Sequence, residues 1–431
     1  MQAVLALWQL EPLARESLFA APAFGRLREI CQKLYCDEDC SNQGLKFPLQ
    51  SALLSLGLPT ILTSSTAHLA LPAEVAAVRL DTAFRQRDFK RLHLCPLDCA
   101  RDIPELSFGP NSVCAMSAAE LRDLVDAERL LRFNPTWAFD AERFSHFHWL
   151  VVREAVPVDA NPDSRFGSKF SLDFNEDLGA IEPHPERFPT AVEDALFALL
   201  LLPWDSWLQF PDLNSCGFRI PWVYTTNDDI FRWPSEPRSP DTLSWEPAFS
   251  IDRDGEEVEY ERPLTYPIKW NSDADERLND GAWDDLMRAR QSVLFETPIT
   301  HFLVRAFLSD GIDEFLAHIL VIEAALGLPI DAKRRPKLPD NPGATERVAA
   351  RLSVLLGSVP SGEDFKKLFE LRNQFVHGRP MSPIAGADRL LARRLARQTV
   401  GALVNAALET PAPSSRETYL DTLLAKGWIS N

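Results

Sequence analysis

The last third of the chain repeats apolar residues every three to four positions, which commits it to packed helices. The stretch 311–328, GIDEFLAHILVIEAALGL, sets Phe315, Ile319, Ile322 and Leu326 on one face and ends near Gly327. The stretch 344–357 carries Val348, Leu352, Leu355 and Leu356, with Thr345 as a candidate cap. The stretch 363–378, EDFKKLFELRNQFVHG, closes on Gly378, a natural left-handed terminator. The stretch 387–409 is long and amphipathic, and a basic, Pro-rich loop, DAKRRPKLPDNPG at 331–343, joins the first two stretches. The reading is an all-α domain over 283–431, of ordinary domain size.

Residues 1–280 read differently. They are rich in Pro, Trp, Phe and Asp, with short apolar runs. The stretches 144–156 and 217–226 look like strands, and 250–262 like a hairpin turning at Asp254-Gly255. The stretches 117–131 and 189–202 look helical, the second with Thr190 as N-cap. The expected class is α+β multidomain: a mixed α/β N-terminal region, with room for two subdomains, followed by a helical bundle.

One residue breaks the apolar pattern of the third helix. Phe365, Leu368, Phe369, Phe375 and Val376 recur at helical spacing, and Arg372 falls among them. A guanidinium keeps its charge and is costly to bury without an anion. A carboxylate, a partner chain or a phosphate should meet it. Glu323 faces an apolar stripe too, at helical spacing from Leu316 and Leu320, so it is the first intramolecular candidate for Arg372, with Arg351 as an alternative cation for it.

Four residues separate Arg372 from His377, and Asn373 follows the arginine. This R-x4-H spacing sits in an ordered set of helices: LVIEAALG (320–327), ERVAARLSVLLG (346–357), FELRNQFVHG (369–378) and a closing amphipathic helix. In that order and spacing the C-terminal domain resembles the Apea-like branch of the HEPN superfamily, over about the last third of the chain. The resemblance implies a four- or five-helix bundle that forms a homodimer, with two R-x4-H motifs meeting in one cleft that cuts RNA without a metal. It implies Arg372, Asn373 and His377 as catalytic residues, with Glu323 behind them, no cofactor, and a role as a defence or toxin-like effector. The alternative within the family is a non-catalytic module for dimerisation or for binding a nucleotide or protein partner.

The residue chemistry agrees with RNA cleavage by the substrate's own 2′-OH. That reaction removes a proton from the hydroxyl and supplies one to the leaving 5′ oxygen, and histidine titrates near neutral pH. An arginine fork suits the phosphoryl oxygens, where charge accumulates. Asn373 would orient the histidine or bind an oxygen. On one ideal helix, side chains at i and i+5 diverge by about 140°. Either the helix stops before His377 or a second chain completes the site. Lys333, Arg334, Arg335, Lys337 and Arg379 are weaker RNA-binding candidates; a solvated connector is the plainer reading of that loop.

The formal net charge of −17 excludes a chain that coats nucleic acid throughout. From residue 301 onward 17 Lys and Arg face 14 Asp and Glu, whereas the preceding residues have 28 against 48. An acidic N-terminal region thus precedes a slightly basic C-terminal one, as a regulator, a sensor of a protein trigger or an RNA-mimicking brake would. The longest apolar run, Ala195 to Leu202, is far too short for a bilayer, and the N-terminus has no basic region before its apolar residues, so a cytoplasmic location is expected.

The cysteines leave a metal reading to weigh. Cys36, Cys40, Cys95 and Cys99 form two C-x3-C pairs, with Cys31 and His93 as substitutes, as a zinc site would need. The same spacing puts two half-buried thiols on one helix face, and acidic neighbours of Cys36 oppose thiolate formation, so unliganded thiols are expected. His146 and His148 alternate on a probable strand and read as surface histidines, and Asp228-Asp229 as a turn or an acidic site.

Overall fold

A computed structural model describes the chain except for residues 13, 36–44, 101, 159–185, 211–215, 252, 270–275, 332–341, 379–382 and 430–431. It divides into two compact units. The first comprises Met1–Pro96, Ala115–Ile181 and Pro221–Pro263, the second Leu97–Cys114, Glu182–Ile220 and Leu264–Asn431. The division is discontinuous in sequence, so a line at residue 280 is not where the units part.

In the first unit, helices Gln2–Trp8, Pro22–Tyr35, Lys46–Ser55 and Ala73–Arg85 bury Leu7, Phe24, Leu49, Leu53 and Leu80 in one core. Beside them, strand Asp88–Leu97 lies between strands His148–Pro157 and Tyr224–Asn227. It pairs antiparallel with the latter, Arg91 opposite Asn227 and Leu94 opposite Tyr224. Buried Arg129 ties this sheet to the helices. Its guanidinium donates to the carbonyls of Asn227, Asp229 and Arg232 and to Ser55 Oγ. A single side chain thus satisfies several buried acceptors.

Several local expectations change. The stretch 117–131 is two helices, Ala118–Leu124 and Ala127–Phe133. They part at Asp126, whose φ of 53° is left-handed and whose carboxylate caps the second helix at Arg129 N–H. Ser117 and Glu120 form a capping box at the start of the first. The strand expected over 144–156 begins only at His148, because Ala141–Phe144 is a helical turn. His146 therefore precedes the strand and does not alternate along it with His148. Of 217–226 only the end is strand, Tyr224–Asn227. The hairpin is present: Trp245–Ile251 pairs with Glu257–Pro263, and Gly255 turns at a φ of 84°.

In the second unit the described helices of ten residues or more are α1 (Thr190–Leu200), α2 (Asp280–Arg290), α3 (Ile299–Leu308), α4 (Gly311–Leu326), α5 (Ala344–Leu355), α6 (Val359–Val376), α7 (Gly386–Ala407) and α8 (Arg416–Ile429). A short hairpin, Leu106–Phe108 with Asn111–Ala115, belongs to the same unit as far as Cys114. The region is helical at its C-terminal end, as expected, and α4 is its centre, packing on α3, α5, α6 and α7. Ile319, Ile322, Leu352, Phe365, Leu368, Leu395 and Leu403 are buried there. Neither expected threonine cap forms. Pro189 caps α1, while the Thr190 hydroxyl donates to Glu186, and Gly343 caps α5, with Thr345 inside the helix.

The end of α4 is held by two arginines. Arg416 donates to the carbonyls of Ala324 and Gly327 at 2.7 and 2.8 Å, and Arg351 to that of Leu326 at 2.9 Å. Cations at a helix C-terminus satisfy its free carbonyls and oppose its dipole. This fixes the turn of α4 that carries Glu323.

Candidate functional site

Two helices build the site. α6 brings Arg372 and Asn373 on its last turns, and α4 brings Glu323. The Arg372 side chain is half-buried, its guanidinium carbon 5.2 Å from the centre of the Phe369 ring. Arg372 Nη1 donates to Asn373 Oδ1 at 3.1 Å. Arg372 Nη2 lies 4.0 Å from Glu323 Oε2, which makes no hydrogen bond among the described residues. That separation gives Coulomb attraction without a hydrogen bond. Burial pushes the Glu323 carboxyl above its ordinary range, and Arg372 offsets this only in part. The expected carboxylate therefore does meet the arginine, loosely. Arg351 is not its alternative partner: it is fully buried and paired with Asp331.

His377 stands at the end of α6 as its C-cap, with φ −93° and ψ 11°, and is exposed. Its backbone N–H donates to the Asn373 carbonyl at 3.0 Å. Gly378, at a φ of 63°, ends the helix in the left-handed conformation expected of it. The helix thus ends at His377, whose own N–H still closes the last turn on Asn373. Asn373 touches both neighbours, Arg372 through its amide and His377 through its backbone.

The apolar stripe behaves differently at its two ends. Phe365 and Leu368 are fully buried, but Phe375 and Val376 are 43 % and 51 % exposed. Periodicity alone placed all four on a core face. The signal for their exposure was their position within one turn of Gly378, where the helix is already ending. The basic candidates Lys333, Arg334, Arg335, Lys337 and Arg379 lie outside the described residues.

Of the four cysteines proposed for zinc, Cys95 and Cys99 are among the described residues. Cys36 and Cys40 lie outside the described residues. Cys95 is on a strand and Cys99 in a turn at a φ of 65°, so the second C-x3-C is not one face of a helix. Burial raises the Cys95 thiol, and that of Cys31 to about 12, both against thiolate formation. His93 is buried between Thr225 Oγ1 at 2.8 Å and Glu154 Oε1 at 3.1 Å, and burial lowers its pKa. Asp228 and Asp229 form a turn: Asp228 accepts from Lys90 N–H and Asp229 from Phe231 N–H. Among the described residues no group of three or more His, Cys, Asp or Glu is placed to hold a metal ion, and no helix is long and apolar enough to cross a membrane.

Comparison of the chain with protein-family models, with curated proteins and with solved structures finds no match.

Proposed function

We propose that the helical C-terminal region is a HEPN-type bundle and a metal-independent endoribonuclease, with Arg372, Asn373 and His377 as its catalytic residues and a second copy of the chain completing the cleft. The observation that carries this reading is the state of Arg372. It is held in place by Asn373 and the Phe369 face, yet its carboxylate neighbour is too far to take its hydrogen bonds. A fixed, charged donor with unused N–H groups is what a phosphate requires. The exposed His377 stands five positions on. In the mechanism Arg372 binds the non-bridging oxygens of the scissile phosphate. His377 takes the proton of the 2′-OH as that oxygen attacks phosphorus, and a protonated group, the second copy's histidine, gives a proton to the departing 5′ oxygen. The products are a 2′,3′-cyclic phosphate and a 5′-OH. The acidic residues of the N-terminal part repel RNA and so slow its cleavage without abolishing it, and a trigger relieves that repulsion.

The second reading is a non-catalytic HEPN module that dimerises or binds a nucleotide or protein, and one observation favours it: Arg372 already faces a carboxylate of its own chain. The two readings part on RNA incubated with the full chain in EDTA. The endoribonuclease cuts, and Arg372→Ala and His377→Ala each abolish cutting. The binding module leaves RNA intact.

A further inference from the structure

Beside the last turn of α6 lies a groove of about 500 Å³, lined by Ile312, Phe315, Phe375, Ile384 and Arg389. Phe375 contributes an exposed aromatic ring, three residues beyond Arg372 and so about 4.5 Å further along the helix axis. Arg389 is the groove's polar group. One of its Nη atoms donates to Glu314 Oε2 at 2.9 Å, and its Nε has no acceptor among the described residues. Glu314 is itself buried and shared with Arg393, so Arg389 is anchored.

We propose that this groove seats one unstacked nucleobase of single-stranded RNA, its face on Phe375 and its edge at the Arg389 guanidinium. The proposal rests on the endoribonuclease reading and adds a positioning subsite to it. Three features favour a base over an apolar side chain. The groove pairs an aromatic ring with an anchored cation, and every base has both a π-face and in-plane acceptors. The Arg389 side chain is 38 % exposed, so an apolar side chain would strip water from its guanidinium and offer no acceptor in return. The groove also adjoins the turn that carries Arg372, so a base seated in it lies next to a phosphate held there.

The test is binding of fluorescein-labelled, uncleavable 2′-fluoro hexanucleotides to the full chain in EDTA, alongside an abasic oligomer with the same number of phosphates. Phe375→Ala should weaken binding of the base-bearing oligomers by about 5- to 150-fold, the range of one base–aromatic stack. It should leave the abasic oligomer unchanged, and Phe375→Trp should restore binding. Phe375 is exposed enough for truncation to spare the fold. Unchanged binding by Phe375→Ala, equal weakening of the abasic oligomer, or no binding by the native chain each overturns the proposal. A loss of chain self-association in Phe375→Ala with oligonucleotide binding intact also overturns it and assigns the groove to a second copy. Because these oligomers cannot be cut, the result is independent of cleavage: a native chain that binds them through Phe375 but cuts no RNA keeps the base subsite and removes the nuclease reading.

Discussion

Asp331 is the residue whose loss should most damage the helical unit. Its carboxylate, 4 % exposed, pairs with the fully buried Arg351, stands 3.5 Å from Arg347 and accepts the Leu328 N–H at 2.9 Å. Arg351 also donates to the carbonyls of Leu326 at 2.9 Å and Leu420 at 3.2 Å, so one guanidinium on α5 reaches both the end of α4 and α8. Removing one partner of a buried pair costs about 3–5 kcal/mol, because the other charge stays buried. Asp421, 3.7 Å from Arg351 but 58 % exposed, compensates weakly, which puts Asp331→Ala near the lower end, about 3 kcal/mol. Adding Arg351→Met removes the stranded charge, so the double variant should be more stable than Asp331→Ala alone. Amide hydrogen exchange over α4 and α8 reads this locally, without assuming that a 431-residue chain in two units unfolds in one step. Protection should fall in Asp331→Ala and partly return in the double variant. Additive losses, with the double variant the least protected, would refute the reasoning.

Three further outcomes follow from the same structure. His318 is buried beside Arg393 and Arg389, and burial first, then those charges, lower its pKa to about 3. The unfolded chain protonates it near its ordinary value of 6.5 and the native state does not, so stability is full above that pH and is lost on acidification towards 3, at about 1.4 kcal/mol per pH unit; His318→Met should flatten the fall in α4 protection between pH 7 and 5. The raised pKa of Glu323 has the opposite sign, its stability being present below the ordinary carboxylate range and lost as pH rises through the native value, so Glu323→Gln should stabilise at pH 7 and not at pH 4 in denaturant titrations. If the acidic region restrains the nuclease, Glu257, Glu259 and Glu261 changed together to Gln should speed RNA cleavage at low salt and not at high salt; deletion of residues 1–280 is the poorer test, because it removes α1 and the 97–114 segment from the helical unit.

The helices of the C-terminal part were legible because their periodicity is long and uninterrupted, and α4, α6 and α7 begin or end within a few residues of where apolar spacing placed them. α3 and α8 were missed, although Ile299, Phe302, Leu303 and Ala306 in α3 and Leu420, Leu423 and Leu424 in α8 recur at helical spacing. The caps failed for a different reason. Thr190 and Thr345 have the right chemistry, but Pro189 and Gly343 already supply the backbone geometry of the cap. The Glu323–Arg372 proximity could be read from two charged residues on two apolar stripes, since each needs a counter-charge. Its 4.0 Å separation could not, because it depends on how α4 and α6 pack. The partnership of Arg351 with Asp331 was hidden because the aspartate lies just past the end of α4, where no periodicity marks it.

The most direct test of the account is single-stranded RNA incubated with the full chain in EDTA, with the new ends identified chemically and Arg372→Ala and His377→Ala compared at equal concentration. The account predicts 2′,3′-cyclic phosphate and 5′-OH ends from the native chain and none from either variant. Cutting by both variants at the native rate would contradict it and place the chemistry elsewhere in the molecule.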